Sequence, residues 1–451
     1  MTTIFADEAL LADGWARNVR IAIDGAVVVN IEAGAVALPG DERHAIVIPA
    51  MPNLHSHAFQ RGMAGLAETR GPSTDSFWSW REVMYRFALT MTPSQVEAVA
   101  AQLYIEMLEA GFGRVGEFHY LHHDRDGRPY THIAEMAERI AAAAANTGIS
   151  LTLLPVFYAH SGFGGLAPNE GQRRFTNDPE RFARLLEESR RAVSKLDGAV
   201  VGVAPHSLRA ITPDELRMAT ALAAGGPIHI HVAEQTREVE DCIAWSGARP
   251  VEWLLANADV NSRWCLIHAT HMTEPETDSF AASGAVAGLC PITEANLGDG
   301  VFDARRFLNA GGRFGIGSDS NVLIGVTDEL RQLEYSQRLA RRERNVLGKA
   351  NGSTGRRLFD EALRGGSQAL GAGPTGIAAD NAADLVSLDA GHPTLAGKSG
   401  DAILDAWIFA NGGSVDCVWA RGRKVVAGGR HHARAEIAKT FRAVMTKLQG
   451  S

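Results

Sequence analysis

Eight short runs rich in apolar and β-branched residues punctuate the middle of the 451-residue chain, each followed by a segment of helical character. They lie at Ala45–Pro49, Arg114–His119, Ser150–Phe157, Val200–Pro205, Pro227–Val232, Trp264–His268, Ala285–Cys290 and Arg313–Gly317. Most are continuously apolar rather than alternating, the pattern of parallel strands covered on both faces. The helices between them carry start signals. Thr92-Pro93-Ser94-Gln95 combines an N-cap, a proline at the first helical position and a capping-box glutamine. Val96, Val99, Ala100, Leu103 and Met107 then share one face, and Gly111 closes the helix. Thr212-Pro213-Asp214-Glu215 repeats the signature. Strands and helices alternating in this number predict an α/β fold, a (β/α)8 TIM-like barrel rather than a doubly wound sheet.

The two ends of the chain break the alternation. Val19–Ile31 and Val415–Ala427 read as hairpins and Asp384–Leu388 as a further strand. Chain ends often lie close together, so these segments predict one small β-sandwich domain built from both termini. The expected division is residues 1–48 for its N-terminal part, 49–375 for a metal-dependent barrel, and 376–451 for its C-terminal part with a terminal helix.

Composition narrows the partners. Lys and Arg number 44 against 52 Asp and Glu, a net charge of −8, which argues against nucleic acid or an anionic membrane surface. An anionic small molecule stays open, because a pocket sets its own local field. The four cysteines form no CxxC pair and fit a reducing compartment. MTTIFADEALLADGW carries acids where a secretory signal needs a basic region, and no run approaches about 18 uninterrupted apolar residues. The expectation is a cytoplasmic protein without a membrane span, with a homodimer as the commonest assembly for such a chain.

Barrels of this kind place their chemistry at the C-terminal ends of the strands. After the first strand come His55-Ser56-His57, two residues apart on an extended segment, so that both side chains point the same way. The fifth strand ends at His231, with Glu234 just beyond; the sixth ends at His268, and the eighth leads into Asp319. Any one of these can be a capped strand end or a buried polar group with a local partner. Four such coincidences on one face point instead to a metal site. Three imidazole nitrogens and a carboxylate suit one Zn²⁺ with an open position for water, although Fe²⁺, Mn²⁺ or Ni²⁺ fill similar sites. His231 rather than His229 is the expected ligand, because only one of them reaches the strand terminus.

His55-Ser56-His57, His231, His268 and Asp319 together resemble the amidohydrolase superfamily over most of the chain, and His231-Val232-Ala233-Glu234 resembles the HxxE signature of its deaminase branch. The resemblance implies His55, His57, His231 and Asp319 as metal ligands and His268 as the group holding the attacking water. The fourth strand ends Val203-Ala204-Pro205-His206, without the bridging lysine of dinuclear members, which favours one ion. Glu234 fits a proton shuttle for attack on a C=N carbon, and Asp319 fits acceptance of the water's proton. A solvated helix-start glutamate is the plainer reading of Glu234.

The stretches NLHSHAFQR, DSFWSWRE, EFHYLHH, APHSLRA, HVAEQ, IHATH, TEANLGDG and IGSDS are similar to deiminases of this superfamily that act on a linear C=N group of an amino dicarboxylate. That likeness implies Gln60, Arg81, Tyr120, His206 and Arg209 as substrate-positioning residues. Arginine is the side chain best shaped to grip a carboxylate with two hydrogen bonds, so a small dicarboxylate is the expected partner. The long polar connection from Asn53 to Arg86 reads as a binding loop or lid. Arg81 can equally be a structural residue stacked on Trp78 or Trp80. His119, His122 and His123 suggest either a second metal site or solvated loop histidines. Gly162-Phe163-Gly164-Gly165 reads as a tight turn, Arg341-Arg342-Glu343-Arg344 as a solvated face, and Thr293–Gly298 as a segment that can close the pocket without chemistry of its own. Alternatives to the linear amidine are a purine or pyrimidine-type ring and a catalytically silent barrel that senses a metabolite.

Overall fold

The computed structural model describes residues 1–70, 77–410 and 415–449. Asp75 and Ser76 of the aromatic stretch, with the rest of 71–76 in the connection expected as a lid, lie outside the described residues. Strands run β1 (Thr2–Leu11), β2 (Gly14–Asp24), β3 (Val27–Glu32), β4 (Glu42–Pro49), β5 (Met51–Ser56), β6 (Phe112–His119), β7 (Ser150–Phe157), β8 (Val200–Val201) and β9 (Ala204–Pro205). They continue with β10 (Ile228–Val232), β11 (Trp264–His268), β12 (Val286–Leu289), β13 (Arg313–Ile316), β14 (Leu385–Leu388), β15 (Val415–Ala420), β16 (Arg423–Ala427) and β17 (Arg430–His431).

Strands β5 to β13 build the barrel. β5-β6-β7-β8 and β10-β11-β12-β13 are parallel arrays, with β9 paired to β7. Parallel bridges Val203↔Ile228 and Ser207↔His231 join the arrays on one side, and Ser56↔Asp319 closes the ring on the other. The expected first strand needs correction. Ala45–Pro49 belongs to β4 of the terminal sheet, and Met51–Ser56 opens the barrel. Pro52 obscured it: proline gives no ladder N–H, and the β5–β6 register shifts at Met51/Pro52. Every residue of β5 is nevertheless buried.

Both chain ends enter one sheet, ordered β17-β16-β15-β14-β4-β1-β2-β3. It includes β1, which the alternation analysis missed because Asp7 and Glu8 interrupt its apolar pattern. The sheet rolls over on itself. A Cβ at Gly422, between β15 and β16, would fall 2.2 Å from the carbonyl oxygen of Gly25, between β2 and β3. Ile4, Val19, Ile21, Val28, Cys417 and Trp419 pack into one core inside the roll. The capping boxes expected at Thr92 and Thr212 are both formed. Among the described residues no helix is long and apolar enough to cross a membrane, and all four cysteines are free and buried.

Candidate active site

The barrel axis ends in a cluster of ring nitrogens. His55 Nε2 lies 3.2 Å from His57 Nε2 and 3.1 Å from His231 Nε2. Asp319 Oδ1 is 3.4 Å from His55 Nε2 and 3.2 Å from His57 Nε2. Four ligand atoms on tetrahedral corners roughly 2.0–2.2 Å from an ion sit roughly 3.3–3.6 Å apart, close to these separations. The strand that supplies His55 closes directly on the segment that supplies Asp319: Asp319 N donates to His55 O and His57 N donates to Asp319 O, each at 3.0 Å. Beneath them Asn53 Nδ2 donates to Ser318 Oγ at 2.7 Å, and Asn321 Nδ2 to the His57 carbonyl at 3.1 Å.

Two of the imidazoles are fixed in one tautomer. His57 Nδ1 lies 3.0 Å from the Phe118 carbonyl and His231 Nδ1 lies 3.1 Å from the His206 carbonyl. A carbonyl only accepts, so each Nδ1 carries the proton and each Nε2 turns a lone pair toward the centre. Burial holds His55 neutral, pulling its pKa down to about 3. Burial pushes Asp319 up, but the imidazoles of His55 and His57 beside it outweigh this and keep it well below the ordinary carboxylate range. Converging lone pairs beside an ionised carboxylate are what a divalent cation requires.

Backbone strain gathers at the same place. Ala233, His268 and Asp319 have φ of 51°, 66° and 45°, the left-handed region that non-glycine residues seldom adopt. Each follows or ends a strand and turns the chain sharply inward. His268 Nε2 is thereby placed 3.7 Å from Glu234 Oε1 and 3.8 Å from Asp319 Oδ2. Burial opposes charge on His268, yet Glu234, Glu294 and Asp319 together hold its imidazole up at about 10. Glu234 is buried, so the reading of it as a solvated helix-start residue is excluded. Burial pushes its carboxyl up to about 7 against the pull of His268, with Asp319 and Glu238 adding to the rise.

A small cavity of about 60 Å³ opens above the cluster. Every substrate-positioning residue expected from sequence lines it: Gln60, Arg81, Tyr120, His206 and Arg209. Gln60 Nε2 donates to Tyr120 Oη at 2.9 Å. His206 is kept neutral by burial and the adjacent Arg209. Arg209 is buried with its Nε unpartnered. Arg81 both lines the cavity and stacks on Trp78, its Cζ 4.5 Å from the ring centroid, so the two readings of it are compatible. Among the described residues neither guanidinium forms a salt bridge.

Three groups escaped the sequence analysis. Glu294, on the helix Pro291–Leu297 that follows β12, has Oε1 3.3 Å from His268 Nδ1 and also accepts from Cys290 N at 2.9 Å. Thr293–Gly298 therefore does contribute to the site. Tyr158 follows β7 and lines the cavity with its ring 4.5 Å from that of His206. Trp80 and Tyr85 reach the cavity from the helix Phe77–Ala88. Reading the residues after strands three and seven as closely as those after one, five, six and eight would have found the first two. His119, His122 and His123 are buried rather than solvated. His122 Nε2 meets the Val156 carbonyl at 2.9 Å and His123 Nε2 that of Thr176 at 3.0 Å, pairings that fix structure. Gly164 and Gly165 have φ of 76° and 80°, as a tight turn requires.

Comparison with known proteins matches this architecture from end to end. The model of the amidohydrolase family covers residues 46–425, and that of the N-terminal domain of formimidoylglutamate deiminase HutF covers residues 1–45. Formimidoylglutamate deiminase from Pseudomonas aeruginosa is 53% identical over 99% of this chain and 100% of its own. The crystal structure of an amidohydrolase from Brucella melitensis superposes with a TM-score of 0.97 at 64% identity, covering 100% of both chains. An adenosine deaminase from Xanthomonas campestris, crystallised with bound zinc, shares the fold at a TM-score of 0.84 and 21% identity, covering 100% of this chain and 99% of its own.

Proposed function

This chain belongs to the amidohydrolase family, and we propose that it hydrolyses N-formimidoyl-L-glutamate to N-formyl-L-glutamate and ammonia, a step of histidine degradation. One juxtaposition carries the reading beside the full-length likeness to a formimidoylglutamate deiminase. A buried histidine–aspartate cluster, a buried glutamate and two arginines without a salt bridge among the described residues face the same cavity.

His55, His57, His231 and Asp319 would hold one Zn²⁺ per chain, the ion present in a structural neighbour, with Fe²⁺, Mn²⁺ or Ni²⁺ as alternatives. When bound, such an ion lowers the pKa of a water molecule toward about 7. His268 and Asp319, 3.8 Å apart, would flank that water. Asp319 accepts its proton as oxygen attacks the formimidoyl carbon, and His268 stabilises the charge that develops. Glu234, held up toward neutrality by burial, gives a proton to the terminal imine nitrogen and then relays a second one to it. The carbon–nitrogen bond breaks, ammonia leaves, and the carbonyl of the formyl group forms. Both protons gained by the leaving nitrogen come from the water consumed.

Arg81 and Arg209 hold the two carboxylates, while Gln60, Tyr120 and His206 orient the amino-acid portion. A flat neutral ring has no use for two guanidiniums in the cavity lining, which favours the linear substrate over a purine or pyrimidine. The test is product identity. Purified, metal-loaded protein given N-formimidoyl-L-glutamate should yield ammonia and N-formylglutamate, and R209Q should lose at least about 100-fold in kcat/KM. Formamide and glutamate as products would place the cleavage at the other carbon–nitrogen bond. Efficient turnover of a purine with R209Q unimpaired on the formimidoyl substrate would favour the ring deaminase.

A further inference from the structure

Three guanidiniums from three different barrel loops converge on one indole. Arg81, on the helix Phe77–Ala88, has its Cζ 4.5 Å from the ring centroid of Trp78. Arg237, in the first turn of the helix Thr236–Ser246, lies 4.9 Å from it. Arg209, beyond β9, lies 5.9 Å away. A ring face attracts a cation, but three cations around one ring repel one another. Against burial, the fields of Glu238 and Glu234 hold the Arg209 guanidinium up and offset part of that repulsion. Arg237 meets Asp241 at 3.7 Å, with side chains 64% and 52% exposed, a contact of small value. Glu238 is the acid whose field on Arg209 is largest, yet its Oε2 accepts from Glu234 N at 3.2 Å. The three arginines also differ in depth: Arg209 is buried, Arg81 half-buried and Arg237 exposed. Arg81 and Arg209 line the cavity, and Arg237, outside that lining, reaches the same Trp78 ring from solvent.

We propose that Arg237 is a specificity-determining capture residue, drawing the anionic end of the substrate toward Arg81 and Arg209 without taking part in turnover. The inference rests on the dicarboxylate reading given above. Fixed charge at a pocket rim raises the rate of productive encounter with an oppositely charged ligand, and salt screens it. Its signature therefore lies in kcat/KM and in the salt dependence of kcat/KM, and kcat stays as it is.

The experiment is steady-state kinetics of the metal-loaded enzyme on N-formimidoyl-L-glutamate at about 20 mM and about 500 mM NaCl, which span long and short screening lengths. The variants are R237Q, R237K and R17Q, the last removing an exposed arginine of the terminal sheet. R237Q should lower kcat/KM by roughly three- to tenfold at low salt and by less than about twofold at high salt, with kcat unchanged. R237K should keep most of the wild-type value, and R17Q should match wild type. Equal kcat/KM for R237Q and wild type at low salt overturns the proposal, as does a loss of the same size at both salts or a fall in kcat. An equal loss in R17Q overturns it too, because net charge would then be the cause. If the substrate assignment itself is wrong, wild type fails on this substrate, and the proposal falls with it.

Discussion

Gly317 lies against the backbone of His55 so closely that a Cβ at position 317 would sit 2.8 Å from both Cβ and O of His55, and 2.9 Å from its N. This contact sets how near β13 comes to β5, and through it the 3.4 Å between Asp319 Oδ1 and His55 Nε2. G317A must push the strands apart by several tenths of an ångström. Overpacking of that kind costs about 1–3 kcal/mol. We expect metal affinity to fall roughly 10- to 100-fold, as when the support of a ligand is disturbed. Metal analysis after dialysis, with a thermal melt as control for folding, checks this. Full metal retention in G317A would show that the ligand spacing is set elsewhere.

Glu234 is placed to move protons and is not one of the four clustered ligands. E234Q should therefore bind metal as wild type does and lose about 100- to 10,000-fold in kcat, the range for a general acid–base group. Metal content and turnover measured on the same preparation separate the two effects. Loss of metal together with activity would recast Glu234 as a support of the ligand cluster.

Glu294 acts on the reaction through His268. E294A removes the acceptor 3.3 Å from His268 Nδ1 and should reduce kcat by roughly 10- to 100-fold while leaving KM within about twofold. E294Q keeps an oxygen able to accept from His268 and from Cys290 N, so it should recover most of the loss. If E294A and E294Q were equally impaired, the charge of Glu294 rather than its hydrogen bond would be what matters.

Glu117 supplies a pH signature independent of catalysis. It is buried beneath the HxH segment, accepting from Ala58 N at 2.7 Å and from Tyr104 Oη at 3.1 Å. Burial pushes its carboxyl up to about 8 from an ordinary 4.5. The native state then holds a proton that the unfolded chain has lost between those values. Its stabilising contribution is complete below about 4.5 and disappears as pH rises through about 8. In chelator-treated protein, E117Q should melt close to wild type at pH 5 and a few degrees above it at pH 9, a gain of about 1–3 kcal/mol. A melting difference that stays constant across this range would contradict the assignment.

The sequence was most legible where local pattern decides structure. Continuous apolar runs marked the barrel strands β6 to β13, and Thr92 and Thr212 announced their helices, because capping and strand burial are written in neighbouring residues. The histidine–aspartate cluster was legible too, since strand ends converge on one face and His55, His57, His231 and Asp319 lie at or just beyond such ends. What stayed hidden depended on contacts between distant segments. Met51–Ser56 was obscured by Pro52, and its pairing with β6 and closure on Asp319 reveal it as a barrel strand. Glu294 looked like one more loop acid until its distance to His268 was known. The meeting of Arg81, Arg209 and Arg237 on Trp78 joins residues up to 159 positions apart (237 − 78), and no local pattern encodes it.

One cavity joins the histidine–aspartate cluster, Glu234 and the two arginines proposed to hold a single dicarboxylate amidine. The most direct measurement is a crystal structure of metal-loaded E234Q with N-formimidoyl-L-glutamate bound. We expect one ion held by His55, His57, His231 and Asp319, the formimidoyl carbon facing it beside residue 234, and the carboxylates paired with Arg81 and Arg209. A substrate bound the other way round, with a carboxylate on the ion and the formimidoyl group among the arginines, would contradict it.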